Sequence, residues 1–268
     1  MFKGFIFDLD GTVYLGERLI PGADRVIRLL REKGKKVVFL SNKPLYTRGD
    51  YAEKLTRLGV PASPEDVINS TFVLIRYLTG RAPGAKVFVI GEPPFLAEMA
   101  QAGFLFTEDP GEIEYVVAAF DRTFDYRKLN IAFQAIMRGA HFVATNPDRT
   151  CPFDDGELPD CAAVIAALEA VTLKKVEAVA GKPSPITVGV VLDRMGLGAG
   201  DCLITGDRLE TDIRMGLESG IKTALVMTGV TTQEILAASP IKPHYVFRSI
   251  ADMEELITDR ISYTDRIS

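Results

Sequence analysis

Two carboxylates near the N-terminus are the first residues of this chain with an evident chemistry. Asp8 and Asp10 follow the apolar run at residues 4–7, and Gly11 comes directly after them. Because neighbouring carboxylates repel each other, they favour a hard cation beside them. One carboxylate is also able to attack as a nucleophile while the other moves a proton. These two acids alone leave the alternative of a solvated acidic turn open.

A second acidic cluster lies in the last third of the chain. Asp207 follows the apolar run at residues 202–205, and Asp212 lies just inside the helix predicted next. Asp207, Asp8 and a backbone carbonyl would begin an oxygen cage for Mg²⁺, and Asp212 would bind or orient the waters of the metal. Alternatively, Asp212 only stabilises the positive N-terminus of its helix.

Candidate ligands for an anion occur at two further places. Ser41 and Asn42 follow the apolar run at residues 36–40, and Lys182 lies in a proline-rich turn at residues 181–185. A lysine near carboxylates would neutralise them and meet a phosphate oxygen, to which the hydroxyl and the amide would also donate. Each place has an ordinary alternative when taken alone. Ser41 and Asn42 suit a strand-to-helix capping turn, and Lys182 suits a surface loop.

The elements that must position these residues alternate between short apolar runs and amphipathic helical patterns. This alternation predicts an α/β fold with a parallel sheet that is covered on both faces. Ligands of such sheets bind beyond the carboxyl ends of the strands, and three predicted strands end at Asp8, at Ser41 with Asn42, and at Asp207. A second α/β series begins after a boundary at residues 80–84. It is roughly 90 residues long, which is enough for a core of its own.

The order of these motifs resembles the haloacid dehalogenase (HAD) superfamily. Asp-x-Asp-Gly-Thr comes first, then Ser-Asn, Gly-Lys-Pro and Gly-Asp-x-x-x-x-Asp, and the resemblance covers nearly the whole chain. Residues 8–14, 145–148 and 206–209 look like the NagD and p-nitrophenyl phosphatase family. The resemblance implies a Rossmann-like parallel-sheet core at residues 1–81 and 175–268. It also implies an inserted α/β cap domain of the larger type, C2, at residues 82–174, which selects the substrate.

The resemblance further implies a Mg²⁺-dependent phosphatase that hydrolyses small phosphorylated metabolites. Asp8 would be the nucleophile that forms an aspartyl-phosphate, and Asp10 would protonate the leaving alcohol and later deprotonate a water. Mg²⁺ would be held by Asp8, the carbonyl of Asp10 and Asp207, with Asp212 supporting the metal site. The phosphoryl group would be bound by Gly11, Ser41, Asn42 and Lys182. These roles agree with the need of phosphoryl transfer for positioning and for cancellation of charge on the phosphoryl oxygens.

Two features separate hydrolysis from related reactions of the superfamily. An aspartate at position 10 resembles phosphatases and phosphomutases, whereas members that dehalogenate lack a second acid there. The segment at residues 14–21 is too short for the small helical cap that mutases usually carry, so we expect hydrolysis. A phosphate-binding regulatory module and a phosphotransferase on the same fold stay open as alternatives.

Substrate selection is expected on the cap. Its candidates for contact with the leaving group are Asp121, Arg122, Asn146, Asp148 and Arg149. For the last two, turn residues with a surface ion pair are the alternative. Residues 159–162 stand where many relatives have a glycine-rich segment, and Lys43 stands where relatives often have an asparagine, so a particular specificity does not transfer directly. The polar cap loops suit a sugar phosphate or another small polar phosphoester, with p-nitrophenyl phosphate as a substrate in vitro.

Length and composition favour an ordinary globular enzyme. The chain has 268 residues, of which 47% are apolar, and a net charge of -5, which argues against a nucleic-acid surface. The three cysteines lack the spacing of a metal site or a disulfide framework. We expect no secretory signal and no membrane span, because the N-terminus lacks a basic region and no long apolar run occurs. The expected setting is cytoplasmic, with a small phosphorylated metabolite as partner, no nucleic acid, no membrane, and a homodimer as one option.

Overall fold

The computed structural model describes residues 2–153 and 156–257 of the chain. These residues form two compact units, each built around its own sheet. The first unit takes its described residues from Met1–Ser41, Gly49–Ile68 and Val188–Ser268, and the second from Asn42–Arg48 and Asn69–Thr187. The predicted α/β fold class is confirmed. The functional division into a core and a substrate-selecting cap stays a prediction.

The elements of the described residues follow one another in alternation along most of the chain. The strands are β1 (Gly4–Asp8), β2 (Tyr14–Leu15), β3 (Arg18–Leu19), β4 (Lys36–Ser41), β5 (Val67–Asn69), β6 (Lys86–Ile90), β7 (Leu105–Phe106), β8 (Tyr115–Ala118), β9 (His141–Ala144), β10 (Thr150–Phe153), β11 (Gly156–Pro159), β12 (Ala178–Val179), β13 (Cys202–Gly206), β14 (Lys222–Val226) and β15 (Tyr245–Phe247). The α-helices are α1 (Ala23–Glu32), α2 (Arg48–Arg57), α3 (Ser70–Thr79), α4 (Pro93–Gln101), α5 (Tyr126–Met137), α6 (Cys161–Thr172), α7 (Pro185–Met195), α8 (Arg214–Ser219), α9 (Gln233–Ala238) and α10 (Glu254–Ile257).

The sheet of the first unit has its strands in the order β15-β14-β13-β1-β4-β5. Strand β1 pairs in parallel with both of its neighbours, with Phe7 beside Thr205 and Asp8 beside Leu40. All of β1 except its last residue is buried, as expected for a strand that is covered on both faces. The three central strands therefore end at one edge of the sheet, which is the edge that carries Asp8, Ser41 and Asp207.

Helix α1 covers this sheet through an apolar stripe. Its buried residues are Ala23, Val26, Ile27 and Leu30. Their i, i+3, i+4, i+7 spacing places them on one face of the helix. They join the cluster of buried side chains to which the sheet contributes Phe5, Phe7 and Phe39. Because burial of one large apolar side chain contributes about 1.5–3 kcal/mol, the stripe is sufficient to fix the helix on the sheet.

A hairpin occupies the segment between β1 and α1. Strands β2 and β3 pair antiparallel, with Tyr14 opposite Leu19. Gly16 in the connecting turn has a φ of 56°, a conformation that residues with a Cβ rarely adopt. The sequence does not predict this hairpin, because two-residue strands are too short to show an alternation of apolar and polar residues.

The sheet of the second unit has the strand order β12-β9-β8-β6-β7, and its strand pairs are parallel. Its core combines strand residues with residues of α5 and α6, among them Ile90, Val116, Phe142, Ala135 and Leu168. No residue is shared between this cluster and the cluster of the first unit. Each unit thus has a core of its own. The antiparallel pair of β10 and β11 follows β9 along the chain.

None of the helices in residues 2–153 and 156–257 is both long enough and apolar enough to span a bilayer.

Phe142→Ala is expected to destabilise the second unit. Phe142 is 1% exposed, and truncation of a buried phenylalanine leaves a cavity that costs about 3–5 kcal/mol. Urea unfolding followed by circular dichroism measures the change in the free energy of unfolding. Tyr126→Ala in the same unit is the control, since Tyr126 is 83% exposed and surface changes stay within about 0.5 kcal/mol. Equal losses in both variants would contradict the packing described for Phe142.

Candidate active site

Three carboxylates converge at the edge where β1 and β13 end. Asp8 is the last residue of β1, and Asp207 follows the last residue of β13. Asp8, Asp207 and Asp212 each offer an oxygen, and these oxygens lie within 4.8 Å of one another. Asp207 and Asp212 are each 1% exposed, whereas Asp8 is partly exposed. The structure thus brings together three carboxylates that the sequence analysis assigns to one metal site.

An all-oxygen group of this kind fits a hard divalent cation. Carboxylate oxygens are the ligands that Mg²⁺ and Ca²⁺ prefer, and Mg²⁺ keeps several waters beside a few carboxylates. Three negative charges at such short distances also repel one another unless a positive charge lies near them. The cluster is therefore able to hold a divalent metal ion, as the donor set of the sequence motifs predicts.

Asp207 is fixed by the loop that follows β14. The N–H of Val230 donates to Oδ2 of Asp207 at 2.7 Å, and Oγ1 of Thr231 donates to the carbonyl of Asp207 at 2.6 Å. Gly229 leaves space for this contact, since a Cβ there would lie 2.0 Å from Oδ2 of Asp207. None of these three residues is among the predicted site residues. Their detectable signal is a glycine with hydroxyl residues on both sides, in the segment Thr-Gly-Val-Thr-Thr that directly follows a predicted strand.

Asp212 is turned back toward the end of β13 by a π-helical turn over Leu209–Ile213. The N–H of Arg208 donates to Oδ2 of Asp212 at 3.2 Å. Gly206 makes this possible, because a Cβ there would lie 2.2 Å from Cγ of Asp212. The sequence predicts an α-helix from residue 212, whereas the structure begins α8 only at Arg214. Such single π-turns are often found at functional sites.

The turn after Asp8 is closed by its own backbone. The carbonyl of Leu9 accepts hydrogen bonds from the N–H groups of Thr12, Val13 and Tyr14. The N–H of Gly11 donates to the carbonyl of Tyr14 at 2.7 Å. A Cβ at Gly11 would lie 2.7 Å from Oδ2 of Asp207, so Gly11 supplies space beside the carboxylates. Its φ of 86° also favours glycine.

The turn also contains two buried side chains, those of Tyr14 and Thr12, beside the partly buried Asp10. Asp10 is partly buried and bridges to Tyr14 through the backbone. Burial raises the pKa of the Tyr14 phenol, and the neighbouring Tyr51 and the charges of Asp10 and Asp8 raise it further. Tyr14 therefore stays protonated. The hydroxyl of Thr12 is fully buried and has no hydrogen-bond partner among the described residues.

Asn42 and Lys182, two more of the predicted ligands, are hydrogen-bonded to each other within the second unit. The Nδ2 of Asn42 donates to the carbonyl of Lys182 at 3.1 Å, and the N–H of Lys182 donates to Oδ1 of Asn42 at 2.8 Å. Lys182 is 2% exposed, and a buried ammonium needs negative or strongly polar partners. Gly181 permits the approach, because a Cβ there would lie 2.7 Å from Oδ1 of Asn42.

The predicted substrate-contact residues lie in two places of the same unit. Asn146 and Asp148 are bonded to each other at 3.1 Å, and Asn146 also donates to Asp160 at 3.3 Å. Burial raises the pKa of Asp160 to about 6. Arg149 is exposed. In the sequence, residue 160 stands out only as part of a divergent loop, because nothing in its neighbours signals a buried carboxyl.

Asp121 and Arg122 take part in separate ion pairs. The guanidinium of Arg122 donates to both carboxylate oxygens of Glu92, at 2.6 and 2.8 Å, which lowers the pKa of Glu92. The Nζ of Lys128 lies 2.6 Å from Oδ2 of Asp121. Each of the two residues thus has a partner on the protein. Their predicted contact with the substrate stays a prediction.

Similar proteins agree with this arrangement of motifs. Residues 5–105 match the family model described as haloacid dehalogenase-like hydrolase, and residues 179–253 match a HAD-hydrolase-like model. The chain is 39% identical to the sugar-phosphatase AraL of Bacillus subtilis, over 96% of this chain and 94% of that protein.

Solved structures show the same fold over nearly all of their length. A 4-nitrophenylphosphatase from Thermotoga maritima has a TM-score of 0.90 at 34% identity, and the match covers 96% of this chain and 97% of that chain. NagD from E. coli has a TM-score of 0.85 at 29% identity, with 94% and 98% covered.

Gly229→Ala is expected to weaken Mg²⁺ binding by about 10–100-fold, the range seen when a group that supports a metal ligand is lost. The added Cβ would occupy the space of the Asp207 carboxylate. Isothermal titration calorimetry measures the affinity. Gly189→Ala is the matched control, because the Cβ added there meets nothing within 4 Å. Unchanged affinity in a folded Gly229→Ala protein would contradict the role of Asp207.

Asp160→Asn is expected to change how stability depends on pH. The pKa of Asp160 rises from 3.8 to about 6 on folding, so the folded chain binds this proton more tightly than the unfolded chain. Its contribution to stability is present below pH 4 and is lost as the pH rises through 6. Relative to Asp160→Asn, the wild-type free energy of unfolding should fall by about 2–3 kcal/mol between pH 4 and pH 7.

Chemical unfolding at a series of pH values tests this expectation. Asp125→Asn changes an exposed carboxylate that caps α5 in the same unit, and it should keep the wild-type pH dependence. Parallel curves for wild type and Asp160→Asn would show that Asp160 does not titrate in this range.

Proposed function

The chain belongs to the haloacid dehalogenase-like hydrolases, in which it is a NagD-like phosphoric monoester hydrolase, and we propose that it is a Mg²⁺-dependent sugar phosphatase with Asp8 as its nucleophile. The observation that carries the proposal is the carboxylate cluster of Asp8, Asp207 and Asp212 at the ends of parallel strands. Two of its members are buried and one is partly exposed, so Asp8 is the proposed metal ligand that is also accessible to a substrate.

The proposed metal ligands are the carboxylates of Asp8, Asp207 and Asp212 together with the carbonyl of Asp10. Their support is the all-oxygen donor set and the short distances within the cluster. Bound Mg²⁺ would supply positive charge against the phosphoryl oxygens. Asp207 and Asp212 are held by N–H donors of Val230 and Arg208, so they keep their positions without rearrangement.

The proposed reaction proceeds through a phosphorylated Asp8. A carboxylate oxygen of Asp8 forms a bond to phosphorus, and the bond between phosphorus and the ester oxygen breaks. Asp10 gives its proton to the departing alcohol and then removes a proton from a water. That water attacks phosphorus, and the bond to Asp8 breaks, so phosphate leaves and both carboxyl groups regain their starting states. Division of the reaction into two steps is the advantage of a covalent nucleophile.

The phosphoryl group is proposed to be bound by Gly11, Ser41, Asn42 and Lys182. The buried ammonium of Lys182 suits a dianionic ester, because a charge that is removed from water interacts more strongly with an opposite charge. Ser41 is the last residue of β4, at the sheet edge that also carries Asp8. These roles are supported by the motif order of the family.

Sugar phosphates are the proposed substrate class. The support is the 39% identity to a protein named as a sugar-phosphatase and the polar residues of the second unit. A net charge of -5 disfavours nucleic acids as substrates. The cytoplasmic setting and the homodimer stay predictions.

Asp8→Asn is expected to lower turnover by about a thousandfold or more, as loss of an enzyme nucleophile does. Phosphate release is measured from a panel of sugar phosphates and from p-nitrophenyl phosphate, with Mg²⁺ and with EDTA. Asp193→Asn in α7 is the control. Because Asp193 is exposed, this variant is expected to have the activity of the wild-type protein. Retained activity in Asp8→Asn, or full activity in EDTA, would overturn the mechanism. Transfer of phosphate to an added polyol instead of water would indicate a phosphotransferase.

A further inference from the structure

A continuous chain of side-chain hydrogen bonds runs through the second unit and ends on Lys182. Asp160 accepts from Nδ2 of Asn146, and that same nitrogen donates to Oδ2 of Asp148. Oδ2 of Asp148 also accepts from Nδ2 of Asn42 at 3.0 Å. Asn42 in turn binds both backbone groups of Lys182. The chain therefore links a helix cap of this unit to the lysine of the third family motif.

The amide of Asn42 has two possible orientations that differ by exchange of Oδ1 and Nδ2. Only one of them pairs Oδ1 with the N–H of Lys182 and Nδ2 with its carbonyl. In that orientation both hydrogens of Nδ2 are used, one on Lys182 and one on Asp148. An ionised carboxylate only accepts hydrogen bonds, so Asp148 favours the orientation that presents Nδ2 to it. The opposite orientation would place two oxygens against each other.

The side-chain amide of Asn146, which precedes Asn42 in this chain of hydrogen bonds, is also oriented by its partners. It is fully buried, its Oδ1 accepts from Oγ1 of Thr145 at 2.7 Å, and its Nδ2 faces the carboxyl groups of Asp148 and Asp160. The backbone supports the same turn, because the N–H of Ala162 donates to the carbonyl of Asp148 at 3.0 Å. Asp148 is therefore held in place from its own side as well as by Asn42.

We propose that Asp148 is a positioning residue for phosphate binding, because its carboxylate fixes the Asn42 amide in the orientation that holds the backbone of Lys182. This inference rests on the proposed function, in which Lys182 binds the phosphoryl group. It replaces direct contact between Asp148 and the leaving group with an action through Asn42.

The sign of the effect separates positioning from simple electrostatics. The negative charge of Asp148 by itself repels phosphate, so its removal without any structural role would tighten phosphate binding. Loss of positioning does the opposite. Asp148→Ala is expected to weaken the binding of inorganic phosphate by about tenfold, since a hydrogen bond to a charged group changes an equilibrium by about this factor or more.

The substrate dependence separates positioning from contact with the leaving group. Lys182 is proposed to meet the phosphoryl group, which is common to every ester. Asp148→Ala should therefore lower kcat/KM by the same factor for p-nitrophenyl phosphate and for a sugar phosphate. A loss that is confined to the sugar phosphate, with unchanged affinity for inorganic phosphate, would overturn the inference.

A double-mutant cycle tests the path through Asn42. In an Asn42→Ala background, Asp148→Ala should change phosphate affinity by less than about twofold, because the residue through which it acts is gone. Losses that simply multiply would also overturn the inference. Asp148→Asn keeps the size of the side chain and one acceptor oxygen, so it should fold and show a smaller loss than Asp148→Ala. If Asp148→Ala does not fold by circular dichroism, Asp148→Asn in both backgrounds gives the decision.

A control variant and the wild-type protein distinguish a failure of the role proposed for Asp148 from a failure of the proposed function. Asp125→Ala removes a helix-capping carboxylate of the same unit whose Oδ1 accepts from the N–H of Lys128, and it should leave phosphate affinity unchanged. If the wild-type protein neither binds phosphate nor hydrolyses esters, the proposed function fails. If the wild-type protein does both and Asp148→Ala equals it, only the role of Asp148 fails.

Discussion

Parallel pairing of β1 with β13 is the interaction on which the candidate site depends. The pairing ends two strands at one edge and so places Asp8 and Asp207 side by side. Like charges would leave such an arrangement if they were free to do so. They stay because the strands behind them are buried and apolar, and the free energy of that burial does not depend on charge. Burial of the apolar strands thus keeps carboxylates together at the sheet edge, although charge repulsion would otherwise drive them apart.

The two units hold their polar residues by different means. In the first unit, backbone N–H groups donate to Asp207 and Asp212, and glycines give these carboxylates room. In the second unit, carboxamides alternate with carboxylates, and each acceptor fixes the orientation of the next amide. Both arrangements provide hydrogen bonds to polar side chains that follow parallel strands. The second unit includes a carboxyl group, Asp160, whose pKa is raised by burial to about 6, so its hydrogen bonds form around a group that titrates at mildly acidic pH.

Sequence patterns predict the long buried strands and the carboxylate cluster well, because both have local signals. Continuous apolar runs mark β1, β4 and β13, and the polar residue after each run marks the ligand edge. Short elements such as β7 and β12 have only two residues and show no periodicity. The loop at Gly229 and the carboxyl of Asp160 are also missed, since their importance arises from contacts with residues far away in sequence.

Three glycines lie against the acidic residues of the first unit. Any side chain at Gly11, Gly206 or Gly229 would enter the space of Asp207 or Asp212. The atoms that these positions lack are therefore as necessary as the oxygens that their neighbours provide. Natural variation across this site is then limited by volume as well as by charge. Substitutions are therefore expected to disturb the site at positions that carry no functional group as well as at the acidic residues.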